Sequence, residues 1–156
     1  MPEPLAEPPI HVVEAAIKFA ADRACLKSAR GAAIFEPYTG DLLALGRNAP
    51  VYGTCDGSPM CAAVCSKVCE HAEAAALREY NYDTTSLTDI DILHVKVVDG
   101  WLVTSGGPSC WQCSKMILAD GRIRGVWLFR EDGWTRYDRL DFHQRTLVAC
   151  GIVMAK

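Results

Sequence analysis

Two short segments of the chain carry the side chains best suited to chemistry. The first is His71-Ala72-Glu73, and the second runs from Cys110 to Cys113 with a cysteine at each end. Two cysteines at i and i+3 share one face of a helix, and the N-terminus of a helix favours the thiolate that a metal ion needs. With the His71 imidazole they would supply three ligands for a tetrahedral zinc ion. Three protein ligands leave the fourth position for water, which is typical of a catalytic zinc site.

Glu73 lies two residues after His71, and residues at i and i+2 of a helix project in different directions. We therefore expect Glu73 to stand beside the bound water instead of binding the ion. Zinc lowers the pKa of water from 15.7 towards about 7, and a neighbouring carboxylate then carries the proton. The competing interpretation is a structural zinc site that Cys65 or Cys69 closes as the fourth ligand, which gives Glu73 no role.

The chain has eight cysteines in 156 residues, and four of them lie between Cys55 and Cys69. In a reducing compartment this number indicates metal ligands or catalytic thiols before it indicates disulfides. The cluster predicts a second, structural zinc ion. In the alternative, the last three of these cysteines, each four residues apart, form one buried stripe of a helix, because a free cysteine packs as a small hydrophobic residue.

The composition describes a folded domain. Half of the residues are hydrophobic, which excludes a disordered chain, and no apolar run approaches the roughly 18 residues of a membrane span. We expect a proline-rich extended arm at 1–10 and a single domain at 11–156. No basic segment followed by an apolar one opens the chain, so we expect a cytoplasmic protein without a membrane partner. The net charge of −3 argues against duplex nucleic acid as a partner.

Hydrophobic periodicity predicts helices that alternate with strands. Helices are expected near 11–28, 60–68, 70–80, 110–119 and 140–149, and strands at 32–35, 42–46, 92–98, 125–130 and 151–154. The first two strands would form an antiparallel hairpin, and the later ones, separated by helices, would run parallel. This order predicts a three-layer α/β/α sandwich around a mixed five-stranded sheet. Both chemical segments open a helix at the end of the sheet where α/β folds bind ligands.

The His-Ala-Glu segment, followed by Pro108 and the two cysteines of the second segment, resembles the signature of the zinc-dependent cytidine and deoxycytidylate deaminases. The segment 25–35 resembles the first strand of the deoxycytidylate branch, and 45–51 resembles its substrate loop, with Asn48 in the asparagine position. A helix between the last two strands, which would make them parallel, is also similar to this branch, whereas the nucleoside branch has them antiparallel. The resemblance covers about residues 12–147 and implies the cytidine-deaminase-like fold.

The resemblance also implies a role for each residue of the site. Glu73 would accept a proton from the zinc-bound water and deliver it to the base, Asn48 would bind the sugar, and the loop at 104–107 would surround the amine. The metal ligands would be His71, Cys110 and Cys113, and the substrate contacts Asn48, Ala72, Ser105 and Pro108. Some phage-type relatives carry an extra metal and Cys25 falls at one of its ligand positions, so the second zinc site would draw on Cys25, Cys55, Cys61, Cys65 and Cys69.

We therefore expect a zinc-dependent hydrolase that converts a cytosine-type base, in dCMP or a related nucleotide, to the uracil type with release of ammonia. One alternative substrate is a base in single-stranded DNA or RNA, and one alternative function is a catalytically silent zinc-binding assembly module. The resemblance implies a homo-oligomer. Lys27, Arg30 and Arg47 are candidates for a phosphate contact, although a solvated position is the simpler expectation for each. His11, His94 and His143 have no motif around them, and we expect none of them to be a ligand.

Overall fold

The structure, a computed structural model, describes residues 3–51, 53–82, 88–107 and 110–153. Its helices are α1 (Ile10–Ala21), α2 (Pro59–Val68), α3 (Ala72–Tyr82), α4 (Trp111–Ala119) and α5 (Arg139–Ala149). Its strands are β1 (Ala29–Phe35), β2 (Leu42–Arg47), β3 (Ala49–Pro50), β4 (Cys69–Glu70), β5 (Ile90–Val98), β6 (Trp101–Val103), β7 (Ile123–Arg130) and β8 (Gly133–Asp138). None of the described helices combines the length and the apolar character that crossing a bilayer requires.

One mixed sheet organises the chain, in the order β2-β1-β5-β7-β8, with β6 paired to the end of β5. β1 runs antiparallel to both β2 and β5, and β5 runs parallel to β7. The predicted first hairpin and the predicted parallel pair at the centre of the sheet are therefore confirmed. The two-residue strands β3 and β4 pair separately, just before α3.

Alternating side chains on the strands supply two apolar cores, one on each face of the sheet. On β1, Ala32 and Ile34 join the core that α3, α4 and α5 cover. Ala33 and Phe35 join the core on the other face, which α1 covers. Residues of opposite parity on a strand point to opposite faces, so the sheet is buried on both sides. The three-layer α/β/α architecture that the sequence predicts is confirmed.

The prediction of a strand at 151–154 is wrong. Residues 151–153 form an exposed turn and bend, and residue 154 lies outside the described residues. The main sheet has six strands where five were expected, and its last strand is β8, which pairs antiparallel with β7. Only two residues separate these strands, and so short a connection joins antiparallel neighbours. The expectation that the last two strands run parallel is therefore also wrong, since β7 and β8 are antiparallel.

The first helix is shorter than its periodicity indicates, since α1 ends at Ala21. Residues 22–28 form an irregular connection to β1. This connection carries Cys25 and Lys27 to the same end of the sheet as the start of α3, where both line a cavity described below.

Candidate metal centre and substrate cavity

A tight strand-to-helix turn positions His71 and Glu73. β4 ends at Glu70 and α3 begins at Ala72, so His71 lies in the turn and Glu73 in the first turn of the helix. α3 rests on β2 at Gly46, where a Cβ atom would come 2.3 Å from the carbonyl oxygen of Ala72. Because only a glycine permits this approach, Gly46 fixes the position of the helix that carries both side chains.

The N-terminus of α4 brings two sulfur atoms to the same point. Cys110 is the N-cap residue, and its Sγ accepts a hydrogen bond from the backbone N–H of Cys113 at 3.4 Å. His71 Nδ1 lies 3.2 Å from the Sγ of Cys110 and 3.3 Å from the Sγ of Cys113. Within the described ranges, these three residues form the one group of three or more metal-binding side chains whose donor atoms lie within 4.8 Å of one another. Cys65 and Cys69, the alternatives for a fourth ligand, are not part of this group.

The donor set fits a zinc ion. One imidazole and two thiolates are ordinary zinc ligands, and tetrahedral bonds of about 2.0–2.3 Å hold neighbouring donors about 3.5 Å apart. The nitrogen–sulfur distances of 3.2 and 3.3 Å are close to this value. Three protein donors leave one position of a tetrahedral ion free for a small molecule.

The surroundings of Cys110 stabilise its thiolate. Hydrogen bonding from Cys113 is the largest effect that lowers the pKa of Cys110 to about 4; hydrogen bonding from His71 also lowers it, and burial opposes both. In return, the Cys110 sulfur raises the pKa of His71, against the effect of burial. The thiolate is the form of cysteine that binds a metal ion. Cys110 can therefore bind one at neutral pH without first losing a proton.

Glu73 is buried next to this group, with 6 % of its surface exposed. Its Oε1 lies 3.9 Å from Nε2 of His94, which is also 6 % exposed. Burial lowers the pKa of His94, and the charge of Arg30 adds to this effect while the Glu73 carboxylate opposes it. Burial thus favours the neutral imidazole of His94, which lies beside the metal-binding group and was not expected in the site from the sequence. The sequence does hold one indication of this position: His94 lies two residues after Ile92, so both side chains point to the face of β5 that α3 covers.

A cavity of about 710 Å³ opens beside the metal-binding group. Its wall contains His71, Glu73, Cys110 and His94, together with backbone and side-chain groups from β1, β5 and the loop after β6. The candidate metal ligands and the buried glutamate thus face a space large enough for a small organic molecule.

Two of the predicted substrate contacts, Asn48 and Ala72, line this cavity. The hydrogen bonds of the Asn48 side chain connect neighbouring parts of the backbone. The Asn48 side-chain Oδ1 accepts from the backbone N–H of Arg30 at 2.9 Å, and its Nδ2 donates to the carbonyl oxygen of Ser28 at 3.0 Å. Ala72 is buried, with 1 % of its surface exposed, and contributes to the wall at the start of α3. The sugar contact of Asn48 stays a prediction.

The other two predicted contacts belong to the loop after β6. Ser105 is 7 % exposed, and its backbone N–H donates to the carbonyl oxygen of Phe129 at 2.8 Å. Its Oγ is buried without a hydrogen-bond partner in the described part of the chain. Gly106 and Gly107, which follow it, line the cavity. Pro108 lies outside the described residues.

The five other cysteines predicted to bind a second metal lie near the same cavity, but their sulfur atoms do not form a second close group of three within the described residues. The Sγ atoms of Cys55 and Cys61 are 3.4 Å apart, and the backbone N–H of Leu26 donates to the Cys55 sulfur at 3.3 Å. A small cavity of about 130 Å³ is lined by four of them, Cys25, Cys55, Cys61 and Cys65. Cys69 lines the larger cavity instead, and burial raises its pKa to about 12.

The chain has the cytidine-deaminase-like fold, a three-layer α/β/α sandwich, with a His-Cys-Cys group and a buried glutamate at the end of the sheet. No protein-family model and no curated protein matches the chain.

Solved structures do match it. The dCMP deaminase from the cyanophage S-TIM5 in apo form has a TM-score of 0.53 and 22 % identity, over 75 % of this chain and 78 % of that chain. The same enzyme in complex with dCMP and dUMP has a TM-score of 0.51 and 24 % identity, over 74 % of this chain and 79 % of that one. At these identities the likeness establishes the fold. The resemblance to the deoxycytidylate deaminase branch is thereby confirmed at that level.

Proposed function

We propose that the protein is a zinc-dependent deaminase that hydrolyses a cytosine-type base in a nucleotide to the uracil type. The observation that carries this proposal is the convergence of His71, Cys110 and Cys113 beside a buried carboxylate that is not one of the three. A purely structural site would use a fourth protein ligand and would have no need for Glu73 in a cavity wall.

In the proposed reaction, three residues would bind the metal ion and Glu73 would transfer protons. His71, Cys110 and Cys113 would hold the zinc ion, which when bound would lower the pKa of water towards about 7. Glu73 takes the proton of the attacking water, delivers it to N3 of the ring, and assists the departure of the amino group as ammonia. The oxygen adds at C4 and the C4–N bond breaks, so a cytosine base and water give a uracil base and ammonia. Burial of Glu73 in the cavity wall keeps bulk water from competing for this proton.

We propose dCMP or a related nucleotide as the substrate. The cyanophage enzyme with this fold has been solved with dCMP and dUMP, and the cavity of about 710 Å³ has room for a molecule of that size. The alternative, a base in single-stranded DNA or RNA, would require the flanking strand to follow a basic surface. The net charge of −3 favours the small substrate.

The decisive experiment compares Glu73→Gln with the wild-type protein. Loss of a general acid–base group costs about 10²- to 10⁴-fold in turnover, so ammonia release from dCMP should fall by that amount while zinc content is unchanged. Glu79→Gln is the matched control, because Glu79 lies on the same helix and is exposed. Wild-type protein that binds zinc and releases ammonia from no cytosine-type compound would favour the silent assembly module.

The proposal includes a second, structural zinc ion at Cys25, Cys55, Cys61 and Cys65, with Cys69 as a further candidate. Four of the five cysteines line one small cavity, and the N–H of Leu26 lowers the pKa of Cys55 towards the thiolate. The proposal also includes a homo-oligomer, which sedimentation equilibrium would test directly.

A further inference from the structure

The cavity beside the metal-binding group carries several positive charges in its wall. Arg30 on β1 and Lys96 on β5 both line it, and so does Lys27, which precedes β1. The one acidic residue in the described wall is Glu73. A chain with a net charge of −3 therefore concentrates three cationic side chains around a single opening.

The sheet register brings two of these cations together. Arg30 and Lys96 are direct cross-strand partners in the antiparallel pair of β1 and β5. Like charges that face each other across two strands repel, and this arrangement is destabilising unless something neutralises it. Among the ion pairs of the described residues, none involves Arg30, Lys96 or Lys27. Neutralisation by a bound anion would relieve the repulsion.

The position of this pair relative to the catalytic end is suited to a nucleotide. Lys96 lies two residues beyond His94 on the same face of β5, which is about 6.7 Å along a strand. A base at His71, Glu73 and His94 would thus have its sugar alongside the strand and its 5′ substituent at the cationic pair. The Arg30 backbone is also fixed, since its N–H donates to Asn48 Oδ1 at 2.9 Å.

We propose that Arg30 and Lys96 bind the 5′-phosphate of the substrate and select a nucleoside monophosphate over the free nucleoside. This inference rests on the proposed function and adds the residues that read the phosphate. Arginine presents a planar fork to phosphate oxygens and lysine a compact point charge, so the pair supplies both geometry and charge.

Arg47, the third cation considered from the sequence, is engaged elsewhere. It forms an ion pair with Asp22 at 3.1 Å and stacks over Phe19.

The test measures kcat/KM of zinc-loaded protein on dCMP, on deoxycytidine and on a single-stranded oligonucleotide that contains dC. In Arg30→Gln and Lys96→Gln the ratio of kcat/KM for dCMP to that for deoxycytidine should fall about 10- to 100-fold, the range of one charge-assisted hydrogen bond. Arg47→Gln removes a positive charge outside the pair and should leave the ratio unchanged. Equal losses on dCMP and deoxycytidine would mean that the two residues are merely structural and would overturn the proposal. Wild-type protein that prefers the oligonucleotide would also overturn it.

A binding measurement separates failure of this inference from failure of the proposed function. Calorimetric titration with dUMP and with deoxyuridine requires no turnover. Tighter binding of dUMP that is lost in both variants supports the phosphate site even if the protein deaminates nothing. Equal affinity for the two compounds, or dUMP binding that the variants retain, would overturn it whatever the activity.

Discussion

Nε2 of His94 lies 3.9 Å from Oε1 of Glu73, and both side chains are almost fully buried. The contact links the central strand β5 to the helix α3 at the point where the cavity meets the candidate metal ligands. It is longer than a hydrogen bond, but catalytic hydrogen bonds in unliganded enzymes are often long and tighten when the substrate binds. An imidazole carries at least one N–H donor, so His94 is placed to hold the carboxylate in one orientation.

Replacing His94 should therefore affect turnover more than substrate affinity. We expect His94→Ala to lower kcat about 10- to 100-fold, because a misplaced proton carrier loses the benefit of positioning, with a smaller change in KM. Zinc content should be unchanged. His94→Gln retains an N–H donor and should recover part of the loss. If both variants lose kcat equally, or if zinc is lost with it, the imidazole does not act by positioning Glu73.

The parts of the site that lie next to helix starts could be predicted from the sequence. His71 and Cys110 each precede a helix, and the chemistry of the residue types together with the helical spacing of Cys113 was enough to bring the three together. The placement of the supporting residues could not be predicted in this way, although Arg30 was already a candidate for a phosphate contact. Arg30, His94 and Lys96 lie on strands whose pairing register is a long-range property, and no local pattern shows which of them share a face.

The close approach of β2 and α3 gives a prediction about stability. A Cβ at position 46 would lie 2.3 Å from both the carbonyl oxygen of Ala72 and the backbone nitrogen of Ala76, and backbone atoms cannot rotate away as a side chain does. We expect Gly46→Ala to cost about 3 kcal/mol or more, which corresponds to a melting temperature lower by about 6–12 °C. Activity should fall as well, since α3 carries Glu73.

Gly121→Ala is the control for this prediction, because a Cβ at position 121 meets open space. Its melting temperature should match that of the wild-type protein in differential scanning calorimetry. A Gly46→Ala variant of wild-type stability would mean that α3 can move away from β2 without cost.

The C-terminal part of the chain shows why the fifth strand was misplaced. The residues of β8 are half-buried along nearly the whole strand, with Thr135 and Arg136 at its centre, so the strand lacks the apolar alternation that marks a strand in sequence. Its place in the sheet comes instead from pairing with β7 and from the ion pair of Arg136 with the fully buried Asp91 at 2.7 Å. The residues at 151–153, whose apolar side chains predicted a strand, are in contrast exposed. Hydrophobic composition alone does not reveal either fact.

The ion pair between Asp120, at the end of α4, and Arg122 should make the stability of the protein depend on pH. Hydrogen bonds from the Arg122 guanidinium lower the pKa of Asp120, and that guanidinium also stacks over Tyr80 of α3. A carboxyl group whose pKa is depressed on folding adds stability above its unfolded pKa of about 3.9, and this stability is lost as the pH falls through the folded value. We expect Asp120→Asn to lower the free energy of unfolding by about 1 kcal/mol at pH 7. The difference from wild type should shrink below about pH 4.

Urea denaturation at pH 7 and at pH 3 would measure this difference. Asp132→Asn, in the exposed turn between β7 and β8, controls for the loss of one negative charge and should leave stability unchanged at both values. A penalty for Asp120→Asn that is as large at pH 3 as at pH 7 would show that the side chain contributes through packing and not through its charge.

The second zinc site predicts a change in both metal content and stability. If an ion binds among Cys25, Cys55, Cys61 and Cys65, then Cys55→Ser and Cys61→Ser should each reduce the zinc content from about two ions per chain to about one, because binding of a structural metal is linked to folding. The melting temperature should fall in the same variants, while the ion proposed at His71, Cys110 and Cys113 should stay bound. Cys150→Ser is the matched control, since Cys150 is exposed at the end of α5.

The measurements need a phosphine reductant, because the Cys55 and Cys61 sulfurs, 3.4 Å apart, could otherwise oxidise to a disulfide. An unchanged zinc content in both variants would leave the four cysteines as packed thiols, held together by burial alone.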